Sequence, residues 1–142
     1  MKYYIAYGSN LDKRQFMLRC PGARAVGAGS IDNMRMVFRG TRGNSYATIE
    51  PCEGGSVPVG IWEISGDNEQ ALDRYEGWPE LYRKCNMTVS ASGGDYTGLI
   101  YIMNGGCGLA RPSDDYIMTL RQGYSDFGFD TAVLEKALKD SK

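Results

Sequence analysis

Tyr7-Gly8-Ser9-Asn10-Leu11 joins an aromatic strand end to a glycine and two small polar residues where a helix begins. Glycine lets backbone come close to a ligand. Backbone N–H groups at a strand-to-helix turn point outward and suit a carboxylate or another anion. A plain turn is the competing reading, because helix N-termini are common and most are empty. No Gly-Lys-Ser/Thr follows, so this is not a phosphate-binding P-loop, and no Gly-x-Ser-x-Gly is present to form a nucleophile elbow. A second segment runs Asp73-Arg74-Tyr75-Glu76-Gly77-Trp78-Pro79-Glu80-Leu81-Tyr82. It makes Glu76 the last residue of a helix, among Tyr75, Trp78 and Leu81. The negative end of the helix dipole and desolvation by those neighbours both disfavour the carboxylate. Both raise its pKa towards a value useful for proton transfer. The ordinary alternative is an exposed glutamate before a turn. Tyr82 lies at the start of the next strand, across a turn made by Gly77 and Pro79. Its phenol can return beside Glu76 and donate a hydrogen bond to the carboxylate or to a ligand; a core tyrosine is the alternative. Tyr116, on the helix opened by Pro112-Ser113, reads from its own surroundings as a core or rim aromatic. The Gly/Arg-rich stretch from Arg39 to Asn44 reads as a solvated loop in preference to an anion site.

Composition narrows the chemistry. The 142 residues contain no histidine. That removes Ser-His-Asp triads, Cys-His dyads, HExxH metalloprotease sites and Cys/His zinc sites. Any general base is a carboxylate, lysine, tyrosine or thiolate. With 16 Lys+Arg against 17 Asp+Glu the net charge is -1, without the basic footprint of a nucleic-acid binder. Cys20, Cys52, Cys85 and Cys107 form no C-x-x-C, so neither a zinc ribbon nor thioredoxin chemistry is supported. The start, Met1-Lys2-Tyr3-Tyr4-Ile5-Ala6-Tyr7, is too short an apolar run for a signal peptide, and no stretch reaches the ~20 apolar residues of a membrane span. The expectation is a reduced cytoplasmic protein with four small buried thiols, no metal and no membrane contact.

The elements that must position these residues follow from periodicity. Residues 3–7 read as a strand buried on both faces, and residues 12–20 as a short helix closed by Pro21-Gly22. Residues 24–38 hold one or two strands, and Arg39 to Ser45 a loop. Tyr46 to Glu50 is a short strand, Cys52 to Ser56 a turn, and Val57 to Ile64 another strand. Asp67 and Gln70 fit a capping box for the helix that ends at Gly77. Residues 82–90 and 96–103 form a hairpin around Ser92-Gly93-Gly94-Asp95. Asp114 and Asp115 charge the first turn of a helix whose stripe is Tyr116, Ile117, Leu120, Tyr124 and Phe127. A last amphipathic helix carries Val133, Leu134, Ala137 and Leu138. About six or seven strands that cluster, against three or four helices, indicate an α+β fold. A single domain over residues 1–142 has a mixed, barrel-like sheet with peripheral helices.

Together these segments resemble the γ-glutamyl cyclotransferase family in its broad AIG2-like sense. The likeness rests on Tyr7-Gly8-Ser9-Asn10-Leu11, Tyr46-Ala47-Thr48-Ile49 and Val59-Gly60-Ile61-Trp62-Glu63-Ile64. It continues through Leu72-Asp73-Arg74-Tyr75-Glu76-Gly77 with Pro79 and Tyr82, then Pro112-Ser113, Tyr116 and Gly123. Each motif alone is weak; the first and fourth at this separation are specific. The resemblance implies a small β-barrel with outer helices. It implies that the loop at residues 7–11 grips the α-amino-acid end of a γ-glutamyl group, that Glu76 is the acid/base residue, and that Tyr82 and Tyr116 line the pocket. It also implies an enzyme that releases 5-oxoproline and a free amine or amino acid, without a cofactor. Relatives with a Tyr-Gly-Thr-Leu loop, which act on γ-glutamylamines, are less similar, because Ser9-Asn10 follows Gly8. Two other classes stay open: a non-catalytic γ-glutamyl or small-molecule binding domain, and an interaction protein presenting Trp62, Trp78 and tyrosines as an exposed patch. Monomer and homodimer are equally compatible with the chain.

Overall fold

The structure, a computed structural model, describes residues 2–141. Five strands, β1 (Lys2–Ala6), β2 (Arg24–Thr41), β3 (Asn44–Ile64), β4 (Tyr82–Ala91) and β5 (Gly94–Met103), close into a barrel in the order β1-β3-β2-β4-β5. All ladders are antiparallel except the β1–β5 seam, where Tyr4 pairs with Leu99. The barrel is therefore mixed and the fold α+β, as expected from the clustered strands. Outside it lie a 3-10 turn (Ser9–Leu11) and four helices: α1 (Lys13–Arg19), α2 (Gly66–Glu76), α3 (Asp114–Phe127) and α4 (Ala132–Asp140).

Five long strands replace the six or seven short ones expected. Residues 39–45 are not a loop: Arg39 pairs with Tyr46, Gly40 with Ser45 and Thr41 with Asn44, and Gly43 turns the chain at φ 77°. Residues 52–56 are not a turn between strands either. The register steps from Asp32↔Ser56 to Met34↔Pro51, so the extra residues bulge out of β3 opposite Asn33. Gly54 at φ 79° and Asn33 at φ 61° absorb the kink, and the Gly54 N–H donates to Asn33 Oδ1 at 3.1 Å. The turn chemistry in the sequence is real, but a bulge uses it without ending the ladder. The capping box of α2 also shifts: Ser65 and Asn68 exchange the two hydrogen bonds, at 3.1 Å each. Asp67 instead faces the helix N-terminus as a first-turn charge.

The core explains why the residue 7–11 segment is held rigidly. Leu11, Phe16 and Trp62 are buried, and the Phe16 and Trp62 rings lie 4.2 Å apart. Burying a side chain such as Leu11 stabilises by about 1.5–3 kcal/mol. Gly123 in α3 sits directly over it: a Cβ there would come within 2.5 Å of Leu11 Cβ and 2.8 Å of the Asp12 nitrogen. Gly60 on β3 makes room on the other side, where a Cβ would meet Leu11 Cδ2 at 2.9 Å. Two glycines thus let a helix and a strand close on one leucine. Of the four thiols only Cys20 is buried; Cys52 and Cys85 are half-buried and Cys107 is exposed. Trp62, at 1 % exposure, belongs to the core and cannot join an exposed aromatic patch.

Candidate active site

A cleft of about 330 Å³ opens where the 3-10 turn, the C-terminal end of α2, the start of β4 and α3 converge. Ser9, Tyr46, Arg74, Tyr75, Leu81, Tyr82 and Tyr116 wall it, and Glu76 stands at its inner end. Inward it continues into a recess of about 20 Å³, enough for a single water molecule or a small polar group. Five tyrosines surround that recess: Tyr4, Tyr7, Tyr82, Tyr101 and Tyr116.

Glu76 reaches this position because α2 ends there. Gly77 adopts the left-handed conformation at φ 70° and takes the chain out of the helix, with its N–H donating to the Arg74 carbonyl at 3.3 Å. The residue thereby lines both the cleft and the recess. Burial pushes its pKa up from 4.5 to about 7, against the opposing pull of the Arg19 guanidinium. Asn10, itself 2 % exposed, donates from Nδ2 to Glu76 Oε1 at 3.5 Å and to the Tyr4 hydroxyl at 2.9 Å. The Asn10 carbonyl accepts the Trp62 indole N–H at 3.0 Å, which locks the backbone of the turn.

The turn presents unused donors. The N–H groups of Leu11 and Asp12 are bonded to Gly8 O and Ser9 O at 3.0 and 3.1 Å. Those of Gly8, Ser9 and Asn10 make no backbone hydrogen bond among the described residues. A Cβ on Gly8 would project to 3.5 Å from the Tyr116 hydroxyl, so the missing side chain opens the backbone towards the recess.

The structure separates the two tyrosines singled out from the sequence. Tyr82 donates its hydroxyl proton to the Ala47 carbonyl at 2.7 Å. Its donor is spent on backbone and not on the carboxylate or a ligand, although its ring lines the cleft. Tyr116 accepts the Ala47 N–H at 3.0 Å and so keeps its own O–H proton to give away. Tyr7 donates to the Tyr101 carbonyl at 2.6 Å. Burial holds the phenols of Tyr4, Tyr7, Tyr82, Tyr101 and Tyr116 well above the usual tyrosine range, so they stay protonated donors beside Glu76.

Tyr7, Gly8, Ser9, Asn10, Glu76, Tyr82 and Tyr116 therefore converge on one cleft and recess. Leu11 does not: it is fully buried beneath Gly123, and its part is to anchor the turn. Tyr4, Tyr46, Tyr101 and Arg19 were not anticipated. Tyr4 and Tyr101 meet only across the parallel β1–β5 seam, with rings 5.9 Å apart, and no local spacing signals that. Arg19 closes α1 nine residues from Asn10; the basic last turn was its one visible mark. Among the described residues no group of three His, Cys, Asp or Glu is placed to hold a metal ion. No described helix is long and apolar enough to cross a membrane.

Comparisons with known proteins converge on one family. The profile of gamma-glutamyl cyclotransferase, AIG2-like, matches residues 4–123. Gamma-glutamylcyclotransferase from Bos taurus is 29% identical over 99 residues, which take in 64% of this chain and 53% of the bovine protein. The chain thus spans about half the length of the curated relative it matches. A solved gamma-glutamyl cyclotransferase superposes with a TM-score of 0.85 at 26% identity, over 99% of this chain and 88% of the other. An uncharacterized protein from Homo sapiens superposes with a TM-score of 0.86, also at 26% identity, with the same 99% and 88% coverage. YkqA from Bacillus subtilis shares the fold alone, with a TM-score of 0.84 at 20% identity, over 99% of this chain and 55% of that one. The matched span holds both the turn with its unused N–H groups and the helix end that aims Glu76 at them, and with it this chain belongs to the gamma-glutamyl cyclotransferase, AIG2-like, family.

Proposed function

We propose that this chain is a cofactor-independent cyclotransferase that converts a γ-glutamyl compound into 5-oxoproline and a free amine or amino acid. The observation that carries the reading is Glu76: a carboxylate with a pKa of about 7 at the inner end of a cleft, facing a turn with free N–H donors. The α-carboxylate of the γ-glutamyl group is received by the N–H groups of Gly8, Ser9 and Asn10. Its α-nitrogen then lies towards Glu76, and the γ-carbonyl folds back over it. Tethering makes the attack intramolecular, an advantage that reaches ~7–11 kcal/mol in favourable cases.

The remaining work is proton transfer. Glu76 takes a proton from the α-ammonium, and the neutral nitrogen adds to the γ-carbonyl carbon. The tetrahedral oxygen gains negative charge, and the unspent Tyr116 O–H is its donor. Glu76 returns the proton to the amide nitrogen as the old C–N bond breaks. The ring nitrogen sheds its second proton to Glu76, which passes it to the departing amine or to water. Protons balance, and no covalent enzyme intermediate forms. The outer cleft, walled by Tyr46, Tyr75 and Leu81 with Arg74 at its rim, receives the leaving group. The four free thiols suit a reducing compartment such as the cytoplasm.

The test is to incubate the protein with a panel of γ-glutamyl amino acids and γ-glutamyl amines and to quantify 5-oxoproline. Release by the wild type that Glu76→Gln abolishes supports the reading. Tight binding of 5-oxoproline with no turnover of any member would make the protein a binding domain.

A further inference from the structure

Arg19 does not line the cleft, yet two contacts of its own tie it to residues that do. Its guanidinium lies flat on the Tyr75 ring, 3.5 Å from the centroid. It donates through one terminal nitrogen to Asn10 Oδ1. Tyr75 in turn shares a 2.9 Å hydrogen bond with Ser9 Oγ. Both polar residues of the turn are thereby clamped by α1 and α2.

The clamp has a directional consequence. A guanidinium has donors only, so the Asn10 atom facing Arg19 must be the amide oxygen. The Asn10 NH2 is then forced to the opposite side, where it meets the Tyr4 hydroxyl and the Glu76 carboxylate. With the amide turned over, its oxygen would face the carboxylate and repel it. The ionised carboxylate favours the same sense, but protonated Glu76 and the Tyr4 hydroxyl can each donate to an amide oxygen, so Arg19 is the contact that fixes the amide in either state of Glu76. We propose that Arg19 is a positioning residue: through Asn10 it orients the Glu76 carboxylate and favours its ionised, proton-accepting form.

Other groups around Glu76 do not substitute for it. Tyr4 from β1, Tyr7, Tyr82 from β4, Tyr101 from β5 and Tyr116 from α3 are neutral phenols. On α2, Arg74 lines the outer cleft, and Asp73 is held by Lys84 and by the Tyr101 hydroxyl. The Arg19 cation is the charge that opposes the burial of Glu76. Lysine cannot copy the flat stack on Tyr75, but it keeps the charge and a donor.

The inference rests on the proposed proton chemistry at Glu76, and its test separates the two. The full-length wild type, Arg19→Gln, Arg19→Lys and Asn10→Ala are compared in two measurements. The first is the pH dependence of kcat/KM for 5-oxoproline release from the best γ-glutamyl substrate of the panel. The second is titration of the Glu76 carboxyl carbon by ¹³C NMR, assigned with Glu76→Gln. In Arg19→Gln the acidic limb and the NMR titration both move upward by about one pH unit, the low end for losing a neighbouring opposite charge. Activity then falls roughly tenfold below pH 7 and much less at pH 9. Arg19→Lys returns most of the shift, and Asn10→Ala, which removes the amide between them but leaves the cation, moves the titration in the same direction by less. If Arg19→Gln fails to fold, the Arg19→Lys and Asn10→Ala pair decides by the same titration. An unmoved Glu76 titration, or an activity loss equal at every pH, overturns the proposal and leaves Arg19 a purely structural residue. If no variant releases 5-oxoproline, the cyclotransferase reading falls, while the carboxyl titration still judges Arg19.

Discussion

Glu76→Gln keeps the shape of the side chain and removes its charge, so it should cost activity and add stability. The folded protein raises the Glu76 pKa from 4.5 to about 7. At 1.36 kcal/mol per pKa unit this is a ceiling of ~3 kcal/mol carried by the ionised site. Water on the open side of the cleft relaxes part of it, which leaves ~1–3 kcal/mol. Below pH 4.5 the carboxyl is protonated in folded and unfolded chains alike, and there is no penalty. Between 4.5 and 7 the folded state holds a proton that the unfolded state has lost, so stability declines as pH rises. Above 7 the whole penalty is present. Glutamine never ionises and escapes it. Unfolding a chain of this length releases about 0.3 kcal/mol/K of entropy. The melting temperature of Glu76→Gln should therefore exceed that of the wild type by ~3–10 °C at pH 8, with the gap closing towards pH 4. Turnover should fall by ~10²–10⁴-fold in the same preparation. Calorimetry of both proteins at pH 4, 6 and 8 is the assay. A gap that is constant across pH, or a variant that melts lower at pH 8, would refute a desolvated, high-pKa carboxylate at this position.

Gly8→Val should abolish binding of 5-oxoproline in a calorimetric titration, because its branches would run into the Tyr116 hydroxyl and Ala47 Cβ, each 3.5 Å from the Cβ position. Ser9→Ala keeps the N–H and loses only the hydroxyl contact with Tyr75, so it should bind with affinity reduced less than about tenfold. Tyr116→Phe removes a free donor and should lower kcat/KM by the equivalent of roughly 1.5–3 kcal/mol; it also leaves the Ala47 N–H without its acceptor, so the melting temperature should fall as well. Tyr82→Phe removes the bond to the Ala47 carbonyl and should also lower the melting temperature, but with activity per folded molecule nearly level; an activity loss per folded molecule larger in Tyr82→Phe than in Tyr116→Phe would defeat the hydrogen-bond assignment. Activity should survive EDTA and replacement of all four cysteines by serine in an endpoint assay, and its restoration by an added divalent ion after EDTA would contradict the proton-transfer reading.

Local chemistry was legible wherever a short segment carries its own instructions. Ser113 opening α3 and the glycines that end α2 and α3 all act within one helical turn. The same holds for Glu76, placed at a helix end by Gly77. Strand number was not legible, because Gly43 and Gly54 carry the same residue signature whether the chain reverses or bulges, and only the pairing partner across the ladder distinguishes them. Nor was the fate of each tyrosine legible. Whether Tyr82 or Tyr116 keeps a free O–H depends on which side of the Ala47 peptide each phenol reaches, and that is set by barrel closure and by the seating of α3 on Leu11 through Gly123. The sequence by itself thus determined which residue types were available: a carboxylate at a helix end, a glycine-containing turn, and no histidine or metal motif. The direction of the Glu76 pKa was legible from its helix end and apolar neighbours; its extent and the partners of every polar group were decided by the tertiary structure. Burial, amide orientation and hydrogen-bond direction are properties of atoms brought together from β1, α1, α2, β3 and α3, which have no fixed separation along the chain.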